Sequence, residues 1–281
     1  MLFDFGSFGV YGDMRIYCGV YMRKRFLILL LFLGMFYGAP TLSFSREVSD
    51  AVVTIFAHCV YELKPLRYIG EAELFTGDKS GVGFIVDHDN VDSKERIEKI
   101  VTVGHVASCQ PRAGRDFPGY EVVSFKPAEL YVVVGTMTYP ATVKKVFINP
   151  NEGLQDPDKA LVEIRLPRSI RHDHIPLIKR YVPTVGDEVV VVGLVPKRIP
   201  EGTILRSVYK KAFVEMVFPA FIQVGMRAFP GMSGSPVIVE RRMLWWKRKY
   251  AIGTVSMNDE NGNGFLLDLF FAATVDRKFL E

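Results

Sequence analysis

The sequence predicts an all-β protein, a barrel or a sandwich, and three observations predict it. From Val48 onward, apolar and β-branched residues form short runs, many of them alternating with polar residues as half-buried strands do. Clusters of Gly, Pro, Asn and Asp divide those runs at the spacing of hairpins. Helical periodicity is confined to one turn after His105 and to the tail Val275–Leu280.

The strands fall into two sets of six. Val52–Tyr61, Gly81–Val86, Lys99–Val103, Leu130–Val134, Ala141–Ile148 and Ala160–Leu166 make the first. Glu188–Gly193, Lys211–Val217, Phe221–Val224, Pro236–Glu240, Tyr250–Ser256 and Phe265–Ala273 make the second. The stretch from Pro167 to Pro183 between them is proline-rich, has no clear period, and reads as the crossing linker.

The composition, 49% hydrophobic and 23% charged, is that of a globular chain with a real core, not a disordered one. Residues 1–45 stand apart as a leader. Met22-Arg23-Lys24-Arg25 is a basic head, residues 26–37 are an uncharged apolar core, and small residues follow at Gly38, Ala39, Ser43 and Ser45. This is the layout of a secretory signal, too short for a standard bilayer span of about 20 residues. The expectation is export to the periplasm or the exterior, with residues 22–39 as a membrane anchor if the signal is not cleaved. Beyond the leader the excess of cations is small, which gives no reason to expect a nucleic-acid partner.

Three segments carry chemistry. Ile100-Val101-Thr102-Val103-Gly104-His105 ends a β-branched run on a histidine. Asp156-Pro157-Asp158-Lys159-Ala160-Leu161 places an aspartate at the mouth of a strand. Gly231-Met232-Ser233-Gly234-Ser235-Pro236 sets a serine in a tight glycine turn. A serine hydroxyl is a poor nucleophile until a base takes its proton, and that base needs a carboxylate to fix its tautomer. The order histidine, aspartate, serine is one of the known orders of that triad.

These segments resemble the trypsin-like, chymotrypsin-fold serine peptidases, and more closely the bacterial high-temperature-requirement (Deg-type) branch. Gly81-Val82-Gly83-Phe84-Ile85-Val86 is similar to the family strand that precedes the histidine, and Val185-Gly186-Asp187-Glu188-Val189 to the strand that opens the second half. Ala251-Ile252-Gly253-Thr254-Val255-Ser256 and Phe271-Ala272-Ala273-Thr274-Val275-Asp276 resemble the two strands after the nucleophile.

The resemblance implies two six-stranded antiparallel β-barrels of chymotrypsin/trypsin type, residues 46–172 and 173–281, with the active site in the cleft between them. It implies a serine endopeptidase acting on a polypeptide substrate, with His105, Asp158 and Ser233 catalytic and the N–H groups of Gly231 and Ser233 as oxyanion hole. Asp158 is preferred to Asp156 because the family carboxylate stands two residues before the Ala160 position. Arg227, Ser256, Met257 and Asn258 would wall the substrate pocket; for Arg227 the plainer reading is a solvated arginine. Met232 replaces the aspartate that digestive members use in zymogen activation, which implies an enzyme without that switch. Only 48 residues follow Ser233, so no PDZ-type domain is expected. Cys59 and Cys109 would lie near one another, as a disulfide or as two buried thiols. The competing function is a catalytically silent binding module on the same fold.

No cofactor or metal is expected. His172 and His174 flank Asp173, but two histidines in a linker are too few for a site, and His88 reads as solvated in the hairpin Asp87–Asp92. Trp245 and Trp246 lie among five cations of residues 241–249. They could dock on an anionic membrane surface or simply pack on the barrel. Oligomeric state has no sequence signal.

Overall fold

The computed structural model describes residues 48–67, 70–111, 116–147, 158–178, 182–199, 202–219, 221–226, 231–243, 246–258, 270–275 and 277–280. The first six strands are β1 (Val52–Pro65), β2 (Glu73–Asn90), β3 (Glu95–Thr102), β4 (Tyr120–Val134), β5 (Met137–Phe147) and β6 (Lys159–Pro167). They close antiparallel in the order β1-β2-β3-β6-β5-β4. The second six are β7 (Glu188–Ile199), β8 (Gly202–Val217), β9 (Phe221–Val224), β10 (Pro236–Met243), β11 (Trp246–Asn258) and β12 (Phe270–Thr274). They close as β10-β11-β12-β9-β8-β7. This is the chymotrypsin-type double barrel expected from the sequence.

Alternation along β1 shows how pattern becomes barrel. Ala57, Cys59, Tyr61 and Leu63 are buried, while Phe56 and His58 face outward. Each barrel holds its own core. Ile55, Ile85, Ile100, Val132, Val162 and Leu166 fill the first, and Val189, Val191, Ile222, Val237 and Ile252 fill the second. A third apolar cluster joins them, with Val82, Phe84, Val101 and Leu161 meeting Val192, Ile238, Ala251 and Phe279. This seam holds the two barrels as one body.

Several strands outrun the runs that announced them. β2 begins at Glu73 rather than Gly81, and β4 at Tyr120 rather than Leu130, although Gly77, Asp78 and Pro127 are residue types that favour turns. The structure accommodates Pro127 beside a bulge. His58 pairs with Glu129 and Cys59 with Pro127, leaving Ala128 as the extra residue.

A short helical turn, α1 (Gly104–Ala107), follows β3, and a 3-10 turn occupies Arg277–Leu280. Cys59 of β1 is bonded to Cys109 just past α1, with a Cα separation of 5.6 Å. Cys109 takes φ 64°, the left-handed region, where the chain must turn sharply out of the helix. The 50-residue span closed by this bond contributes about 2–4 kcal/mol in chain-entropy accounts. Among the described residues no helix is long and apolar enough to cross a membrane. The leader 1–45, apart from what the sequence says of it, lies outside the described residues.

Candidate active site

The β3–β6 register pairs Thr102 with Ala160, which brings Asp158, at the mouth of β6, beside the turn that follows β3. There the His105 ring and backbone both reach it. Nδ1 of His105 lies 2.6 Å from one carboxylate oxygen, and the His105 backbone N–H donates to the other at 2.9 Å. The Ser256 hydroxyl, from β11 of the second barrel, donates to the first oxygen at 2.8 Å. Asp158 is 6% exposed. Burial pushes its carboxyl pKa up, but the His105 charge and the three hydrogen bonds outweigh burial and leave it below the ordinary aspartate value. An ionised Asp158 fixes the His105 proton on Nδ1, leaving the Nε2 lone pair for another proton.

Gly104 makes this approach possible. A Cβ there would lie 2.4 Å from the Phe147 carbonyl oxygen and 2.8 Å from an Asp158 oxygen. Lys159, which the sequence put beside the aspartate, holds its ammonium 5.0 Å from the Phe279 ring centroid and 5.9 Å from that of Phe147.

The Ser233 turn is tied to both barrels. The Ser233 carbonyl accepts from Val82 N–H at 2.7 Å. Gly234 N–H donates to Val255 O, and Val255 N–H donates to Ser235 O, the residue before Ser256 thus gripping the turn. Gly231 and Gly234 take φ 91° and 90°. Gly234 also sits against β2 so closely that a Cβ would fall 1.7 Å from Val82 O. Met232 is fully buried in the second core. The position of a Cβ on Gly81 would be 2.8 Å from Ser233 O and 2.9 Å from the side chain of Val106, His105's neighbour. The serine and histidine turns therefore flank one point on β2.

The structure brings His105, Asp158 and the Gly231–Ser233 turn together at the junction of the barrels. Ser256 differs from expectation. It is 5% exposed and directs its hydroxyl to Asp158, so it supports the carboxylate rather than walling a pocket. Spacing could not have revealed this, because the contact crosses between barrels. Arg227, Asp156 and Trp245 lie outside the described residues, as do the side chains of Met257, Asn258 and Trp246.

No family model matches the chain, and no curated protein does. Among solved structures it is similar to Rv3671c from M. tuberculosis H37Rv, crystallised in the inactive form of a serine-to-alanine mutant. The TM-score is 0.44 and the identity 16%, over 85% of this chain and 86% of that one. The double barrel stands on strand order and register, independently of that likeness.

Proposed function

We infer that this protein is a serine endopeptidase working through an acyl-enzyme. One observation supports the reading above all others. A buried carboxylate, held by three donors, sits on Nδ1 of His105 next to a turn that carries Ser233 between two positive-φ glycines. In this mechanism His105 Nε2 takes the Ser233 hydroxyl proton as Oγ attacks the substrate carbonyl. The Gly231 and Ser233 N–H groups stabilise the oxyanion. His105 then returns the proton to the departing amine as the C–N bond breaks, and water repeats the sequence to release the acid. Asp158 remains ionised throughout.

The Deg-type kinship rests on the strand motifs quoted from the sequence. The disulfide supports action in an oxidising compartment, as expected for an exported chain. Ser233→Ala should lower turnover of an extended peptide substrate by about six orders of magnitude with the fold retained. Unchanged turnover in the purified variant would sink the assignment, and absence of turnover in the parent would leave the silent binding module.

A further inference from the structure

Glu98 of β3 is the most deeply buried carboxylate away from the Asp158 site among the described residues, at 0% exposure. Its neighbours come from three directions. On β3 itself, Arg96 pairs with Oε1 and also donates to the Ile170 carbonyl. From the crossing linker, His172 Nε2 lies 2.9 Å from Oε1 and His174 Nε2 3.1 Å from Oε2. His172 and His174 reach the same carboxylate because alternate residues of an extended segment share a face. That segment is anchored by Ile175 N–H donating to Ile85 O on β2. From β2, His88 is the cross-strand partner of Glu98, and its ring centroid lies 5.0 Å from that of His174.

We propose that His88, Glu98 and His174 form a Zn²⁺ site that clasps the inter-barrel linker to the first barrel. The ligand atoms of the three all lie within 4.8 Å of one another. Two donors sharing a tetrahedral ion at about 2.0–2.2 Å stand about 3.3 Å apart. The 3.1 Å between His174 Nε2 and Glu98 Oε2 already has that span, and the His88 ring, on an exposed hairpin, can turn to close the rest. Arg96 and buried His172 engage Oε1, orienting the carboxylate as outer partners of metal ligands do, with Oε2 directed to the ion. Two imidazoles and a carboxylate suit zinc by ligand type and leave a coordination position for water. Exposed His88 supplies the entry path.

The sequence hid this site because its ligands are scattered. Two lie in the linker and on β2, and Glu98 reads as an ordinary polar residue in the alternating run Arg96-Ile97-Glu98-Lys99-Ile100.

The test is titration of the full chain, without a polyhistidine tag and stripped with EDTA, by Co²⁺ monitored through its visible d–d absorption. Zn²⁺ competition and thermal melting accompany it. One equivalent of Co²⁺ should bind, Zn²⁺ should displace it, and Zn²⁺ should raise the melting temperature. His88→Gln and His174→Gln should each weaken binding at least tenfold, whereas His58→Gln, on the exposed His58–Asp78 pair of β1 and β2, should bind as the parent does. Melting in EDTA verifies that each variant is folded, and His88, being exposed, is the substitution the fold tolerates best. Absence of Co²⁺ binding by the parent would overturn the proposal, as would binding that survives both His88→Gln and His174→Gln. Loss of peptidase activity in Ser233→Ala is independent of either result.

Discussion

Asp158 and Glu98 are both carboxylates buried in the first barrel against imidazole, yet they are held in different ways. Asp158 receives one imidazole, one backbone N–H and one hydroxyl, and among the described residues no permanent cation is in hydrogen-bond contact with it. Glu98 has Arg96, which is always charged, as well as His172 and His174. Burial pushes the Glu98 pKa up, but hydrogen bonds from both histidines, with the charges of His172 and Arg96, bring it down to about 2. The difference separates two uses of one group. A carboxylate neutralised by a fixed cation anchors structure or a metal. One whose principal counter-charge is a titratable imidazole can stabilise a proton that comes and goes.

The sharpest way to break the comparison is Asp158→Asn. Loss of the carboxylate removes both the tautomer and the stabilisation of the imidazolium, and kcat should fall by about four orders of magnitude. Asp156→Asn should cost far less on the same peptide substrate; the reverse result would shift the register by two residues. The depressed pKa of Asp158 has a stability consequence as well. An ionised carboxylate with a lowered folded pKa contributes stability that is full above the unfolded value of about 4 and fades as pH falls through the folded value. The stability advantage of the parent over Asp158→Asn, followed by denaturant unfolding, should therefore shrink below about pH 4. An advantage that grew on acidification would contradict the sign.

Arg96→Met sharpens the other half. Leaving Glu98 buried without its permanent cation should destabilise the fold by about 3–5 kcal/mol in chemical denaturation. A loss below about 1 kcal/mol would mean that the histidines alone suffice.

Gly104→Ala tests whether the approach of Asp158 to His105 is as tight as it looks. The new Cβ must push on the Phe147 carbonyl or on Asp158, and a displacement near 1 Å should lower kcat about a hundredfold. Full activity would show that the turn has slack.

Ser256→Ala removes one of three donors to Asp158 and should give the smallest change, about tenfold in kcat with KM little affected. A change in KM alone would return Ser256 to the substrate pocket.

Much of the architecture was readable because barrel strands bury one face, so Val52–Tyr61 and Ala160–Leu166 announce themselves by alternation. The outer halves of β2 and β4 did not, since their residues are mostly exposed and Gly77, Asp78 and Pro127 carry turn chemistry into strands. At the candidate site, His105, Asp158 and Ser233 stood in local motifs with a physical purpose. Ser256 and Gly104 act through contacts made only when distant segments meet, and Glu98 is disguised as a surface residue by its own strand. Local chemistry is written in neighbouring letters, whereas cross-barrel contact is not.

The central claim is that Ser233 is an activated nucleophile. Reaction of the folded chain with a fluorophosphonate probe, followed by mass-spectrometric mapping of the adduct, tests it most directly. A single adduct on Ser233, abolished in Ser233→Ala and strongly slowed in Asp158→Asn, is the expected result. An unlabelled folded protein, or an adduct on a different residue, would contradict it.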